Sequence, residues 1–137
     1  QIANVVRTAS AQDRDVYSWA PLPADTAATV TVTWAGSPDE TLASVLECRG
    51  FDLDAPIVQS DSDQDETVID LSLAAFASQD NYGLALSGTG AASTPTGFTA
   101  VAPTGADSAW YKAGEVRIVR LSSSPILGVF CELKVAI

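Results

Sequence analysis

Histidine and methionine are both missing from the 137 residues, and cysteine occurs only twice. Without histidine the chain lacks the commonest general base near neutral pH and the commonest transition-metal ligand. With no histidine and no second cysteine pair, zinc binding by the two cysteines is not expected. Positive charge is scarce as well. Seven Lys and Arg stand against 17 Asp and Glu, a formal net charge of −10. That balance repels phosphate backbones and anionic lipid surfaces, so nucleic acid is not an expected partner. No apolar run approaches the roughly 18 residues of a membrane-spanning helix, so no membrane insertion is expected. The chain opens at Gln1 with neither methionine nor a leader pattern, so removal of a leader or of the initiator residue is expected.

What the chain does have is alternation. Thr29-Val30-Thr31-Val32-Thr33-Trp34 sets Val30, Val32 and Trp34 on one face and three threonines on the other, the pattern of a half-buried strand. The same period recurs in 15–19, with Tyr17 and Trp19 together, in 67–73 through Ile69, Leu71 and Leu73, and in 81–87 through Tyr82, Leu84 and Leu86. Residues 115–121 set Val116 and Ile118 against Arg117 and Val119. The last run places Leu127, Val129, Cys131, Leu133, Val135 and Ile137 on one side and Phe130, Glu132 and Lys134 on the other, as expected of a central or well-packed strand. Residues 41–48 are read as a further strand, and 74–78 as one helical turn.

Turn-forming clusters such as Ala35-Gly36-Ser37-Pro38-Asp39 separate these runs. Helical periodicity is almost absent. The expected fold is therefore all-β, an antiparallel β-sandwich or jelly roll of about 7–9 strands in a single domain over 1–137. Residues 1–14 read as an edge strand or N-terminal arm. Residues 88–114, rich in Gly, Ala, Ser, Thr and Pro and anchored by Phe98 and Val101, read as a long loop or projecting segment that holds at most one short strand.

Taken in order, Asp15-Val16-Tyr17-Ser18-Trp19, Pro23-Ala24-Asp25 with the Thr/Val strand, residues 42–48, the Asp/Ser run at 60–65 and Asn81-Tyr82-Gly83-Leu84-Ala85-Leu86-Ser87-Gly88 form a recognisable series. Over residues 13–88 the series resembles the bacterial pre-peptidase C-terminal domain. That resemblance implies a non-catalytic β-sandwich of the kind appended to secreted enzymes, acting as a binding or positioning module.

Three constellations are candidates for a site. Cys48 and Cys131 both fall on apolar strand faces, so they either meet as a disulfide across the core or stay apart as two buried thiols. Asp61, Asp63 and Asp65 gather oxygen ligands for Ca²⁺ if their loop curls, with Asp52 and Asp54 in reserve. An EF-hand is excluded, because Glu66 stands where that loop needs glycine and Ser72 where it needs a bidentate glutamate. The alternative is a solvated acidic turn, with no cofactor. Trp110 and Tyr111 are the candidate exposed contact, unless Trp110 caps one end of the core.

No nucleophile, base and orienting group can be named together, and no phosphate-cradling glycine loop precedes a helix. The expected role is non-enzymatic: a structural or assembly protein of a virion-accessory, decoration or surface-layer type, at a particle surface or outside the cell. Its expected partners are protein, through self-association or a larger lattice. The alternative is a secreted carbohydrate- or protein-binding module.

Overall fold

A computed structural model describes residues 45–64, 68–88, 93–101, 108–122 and 128–136, with Thr29, Thr31 and Thr33, and the backbone alone of 3–6, 14–17 and 127. These residues form β1 (Ala3–Val6), β2 (Arg14–Tyr17), β3 (Ile57–Gln64), β4 (Val68–Ser72), β5 (Tyr82–Gly88), β6 (Thr99–Val101), β7 (Ser108–Ala113), β8 (Ile118–Ser122) and β9 (Leu127–Leu133). No helix occurs among the described residues. A five-stranded sheet runs in the order β3-β9-β5-β7-β6, a two-stranded sheet pairs β4 with β8, and β1 pairs with β2. Every ladder is antiparallel. The fold is an antiparallel β-sandwich, as the alternation predicts.

The core forms where the two sheets face each other. Ile69 and Leu71 of β4 and Val119 and Leu121 of β8 pack on Ala85, Trp110 and Phe130 of the large sheet, with Leu73, Phe76 and Phe98 closing the ends. Register makes this a layer: Phe130, Ala85, Trp110 and Ala100 lie in one row across β9, β5, β7 and β6. Room for the small sheet depends on Gly128. A β-carbon there would lie 2.7 Å from Ile69 Cδ1 and 2.8 Å from Leu121 Cδ1, closer than carbon atoms pack.

The central place of β9 changes its expected faces. Cys131 and Leu133 face the outside of the sandwich yet are buried there, while Phe130 and Glu132 on the even side are buried between the sheets. Both sides of the strand are dry. In β8 the expected grouping also changes, because Val119 and Leu121 point inward and Ile118 is 66% exposed.

Several expectations are corrected. The acidic stretch from Asp61 to Gln64 belongs to the extended eight-residue strand β3, because β9 pairs with it along its length. Thr29, Thr31 and Thr33 are exposed and belong to no strand, and the rest of that alternating run lies outside the described residues. Residues 45–48 are likewise exposed and outside any strand, and 74–78 forms no helical turn. Within 88–114, β6 and β7 add two rungs to the large sheet, so most of its described part is sheet and not a projecting loop.

Candidate binding site

The outer face of the large sheet carries the most developed surface feature. Period-two alternation brings Leu84 of β5 beside Cys131 of β9 and Tyr111 of β7, with Tyr82 and Leu133 in the next row. In an antiparallel sandwich this face is commonly the wet one. Here a second apolar cluster of Leu84, Cys131 and Leu133 packs with Phe51, Ile57, Tyr82 and Leu86. Residues 46–51 roof one side of it, leaving a groove of about 460 Å³ lined by Leu46, Cys48, Tyr82, Val101, Tyr111 and Val135 among others.

A short clasp holds the roof. Phe51 bridges to Val135, Asp52 N–H donates to the Lys134 carbonyl at 2.9 Å, and Ala136 N–H to the Gly50 carbonyl at 3.0 Å. Gly50 turns the chain into the roof with φ of 82°, a left-handed conformation in which glycine carries no steric penalty. Lys134 Nζ donates to Asp52 Oδ2 at 2.6 Å. That bond, with those from the Ala55 and Asp54 N–H groups, lowers the Asp52 pKa to about 2.

Three rings line up across the groove. Phe51 meets Tyr82 edge-on, with centroids 5.5 Å apart, and Tyr82 meets Tyr111 at 6.4 Å with a tilt of 34°. Tyr111 is 41% exposed. At the rim Arg49 Nε donates to Glu47 Oε1 at 2.8 Å, a pair in water that adds little stability.

Trp110 and Tyr111 do not act together. As neighbours in β7 they point to opposite faces, and Trp110 is fully buried between the sheets, its Nε1 donating to Thr94 Oγ1 at 3.2 Å. Trp110 is thus core, and Tyr111 alone remains as a contact. Their adjacency in a strand was the signal that the two rings point apart.

Cys48 and Cys131 are both free thiols, the second of the two alternatives, except that Cys48 is exposed where both were expected to be buried. Cys48 is exposed on the groove wall, while Cys131 is buried in the cluster with Leu84 and Leu133, which line the groove. Burial, and then the neighbouring Cys48, push the Cys131 pKa up to about 12.

The acidic candidates are placed differently from the curled loop that a calcium site requires. Asp61 and Asp63 lie two residues apart on extended β3, and Asp65 lies outside the described residues. Asp61 Oδ2 accepts from Ser72 N–H at 2.8 Å and its Oδ1 from Ser62 N–H at 2.9 Å, while Asp63 Oδ1 accepts from Gln64 N–H at 2.8 Å. Among the described residues no cluster of three metal-ligating side chains forms.

The polar feature that sequence reasoning missed is Glu132. Its side chain is buried between the sheets, where Oε1 accepts from Ala77 N–H at 2.8 Å and Asn81 Nδ2 at 2.6 Å, and Oε2 from Gln59 Nε2 at 2.6 Å. Three donors satisfy the buried carboxylate and tie the β4–β5 connection to β3 and β9. This is a structural tie.

No protein-family model matches the chain, and neither the curated proteins nor the solved structures contain a match.

Proposed function

We propose that this chain is a non-enzymatic structural or assembly protein of the virion-accessory or surface-layer type, which works by holding a protein partner in the outer-face groove. One observation carries the reading: the outside of the large sheet bears a row of three aromatic rings over an apolar floor, half roofed and open at Tyr111. Partly exposed aromatic side chains over a desolvated floor are the anchors of protein interfaces. Leu46, exposed on the groove wall, adds to the apolar area beside the rings. The resemblance to pre-peptidase C-terminal domains implies the same mode of action, binding or positioning without catalysis.

Fractionation from the native source tests the proposal. The wild-type protein is expected to co-purify with a particle or surface layer, and Tyr111→Asp to be released from it while remaining folded. A protein found only as free chains in that material refutes the reading.

The Tyr82–Tyr111 pair also supports the second reading, a secreted carbohydrate-binding module, because tyrosine rings stack on sugar faces. A glycan array signal present for the wild type and lost in Tyr111→Ala favours that class.

A further inference from the structure

The two edges of the small sheet are treated differently. The Leu73 N–H donates to the Arg117 carbonyl at 2.7 Å, which fixes the phase of the β4–β8 ladder. Counting by two, Leu71 exchanges its bonds with Val119 and Ile69 with Leu121, so the N–H groups of Asp70 and Ser72 point away from β8. On that side the edge is sealed. Asp61 Oδ2 takes the Ser72 N–H and Gln59 Oε1 takes the Ala74 N–H, so two β3 side chains stand in for a neighbouring strand.

The same phase turns the N–H and C=O groups of Ile118 and Arg120 outward from β8. Among the described residues β8 has no second ladder partner. Beside it lies a trough of about 490 Å³ whose lining includes Ser93, Thr94, Pro95, Phe98, Ile118 and Arg120. An open strand edge beside a trough is the geometry that strand addition uses.

We propose that the β8 edge takes residues 29–34 of a neighbouring copy as a third strand of the small sheet. This inference rests on the assembly reading but concerns a face separate from the aromatic groove. The fit is chemical. In Thr29-Val30-Thr31-Val32-Thr33-Trp34, one face is apolar, suited to Phe98 and Val119 in the trough, and the other is threonine, suited to continue the outer row of Asp70 and Arg120.

Charge complementarity agrees. Copies carrying −10 each repel one another, so they can meet only where no unpaired charge is brought together. The charged residues lining the trough are Asp70 and Arg120, joined at 2.6 Å, and residues 29–34 carry no charge. The donor is a second copy because Thr29, Thr31 and Thr33 of the chain itself are exposed and join no ladder.

The test uses the full chain and a labelled synthetic peptide of residues 28–36. By light scattering, the wild type is expected to form concentration-dependent oligomers. In an Asp70→Asn background, which leaves no unpaired charge in the trough, Arg120→Ala keeps the edge N–H and retains them, and Arg120→Pro, which removes it, gives single chains. The peptide is expected to bind the donor-impaired Val32→Pro chain, and a backbone N-methylated peptide to bind it about tenfold or more weakly. This peptide arm uses an unaltered β8 edge and decides the matter if Arg120→Pro does not fold.

Oligomers that persist in a folded Arg120→Pro chain overturn the proposal, as does equal binding of the two peptides. A wild type that stays single while the peptide binds Val32→Pro overturns the neighbouring-copy donor. Tyr111→Asp leaves these readouts unchanged, so failure at this edge is distinguishable from failure of the groove reading.

Discussion

Exchanging Glu132 for glutamine removes one charge and no volume, and the structure says why the fold should notice. Three donors meet that side chain, and each has its polarity fixed from outside. Ala77 donates a backbone N–H, which cannot be reversed. Gln59 must present its Nε2, because its Oε1 accepts the Ala74 N–H at 2.9 Å. Asn81 must present its Nδ2, because its Oδ1 accepts the Val135 N–H at 3.2 Å. Position 132 therefore has to accept at both oxygens. In Glu132→Gln the amide nitrogen does least harm facing Gln59, where one donor meets another in a buried place, at a cost of about 1–3 kcal/mol.

For a domain of this size that is a fall in Tm of roughly 3 to 15 °C. Glu132→Ala orphans all three donors and should cost more than Glu132→Gln. The discriminating measurement is a double-mutant cycle by urea denaturation with Gln59→Glu. In the double variant, the amide introduced at position 132 donates to a carboxylate at position 59 that still accepts the Ala74 N–H, so part of the loss should return. Glu132→Gln as stable as the wild type, or a cycle with no coupling between 59 and 132, refutes the polarity argument.

Three further outcomes are expected. Gly128→Ala should lose about 1–3 kcal/mol in urea denaturation, because its new methyl overlaps the buried ends of Ile69 and Leu121; an unchanged midpoint would show that the sheets can separate at no cost. The Asp52–Lys134 bond lowers the Asp52 pKa, so its stabilisation is complete above the unfolded carboxylate range near about 4 and is lost as pH falls through about 2. The Tm difference between wild type and Asp52→Asn should follow that course, and a difference that persists unchanged well below pH 2 contradicts it. A thiol reagent should label Cys48 in the native protein and Cys131 only after unfolding, as mass spectrometry of labelled peptides would show; rapid native labelling at Cys131 would contradict its burial.

The architecture was legible where strands have one wet side. β4 follows the alternation of its residues, with Ile69 and Leu71 buried as the pattern predicts, whereas β5 is buried on both sides, Leu84 on the outer face and Ala85 between the sheets. β9 was legible as a packed strand but not in its faces, since burial on both sides removes the contrast from which alternation is read. Glu132 reads as a wet residue because its three donors lie 51 to 73 residues away in sequence, beyond any local pattern. β3 was hidden for a related reason: its acidic residues resemble a turn until β9 supplies the ladder and β4 the Ser72 N–H for Asp61. Of the candidate site, Tyr111 was visible and its partners Phe51 and Tyr82 were not. They come together only through the β5–β7 register and the roof at Phe51.

The position of β9 also orders events in time. β3 and β5 do not pair with each other, and each has its neighbour in residues 127–133, the strand that follows all the others in the chain. Until residues 127–133 have been made, β3 and β5 lack the strand that joins them, and the β4–β8 pair lacks Phe130 from its opposite wall. A nascent chain halted before residue 127 would hold hairpins but no joined large sheet. Joining β3 to β5 therefore rests on this one strand, whose two edges bond to both of them.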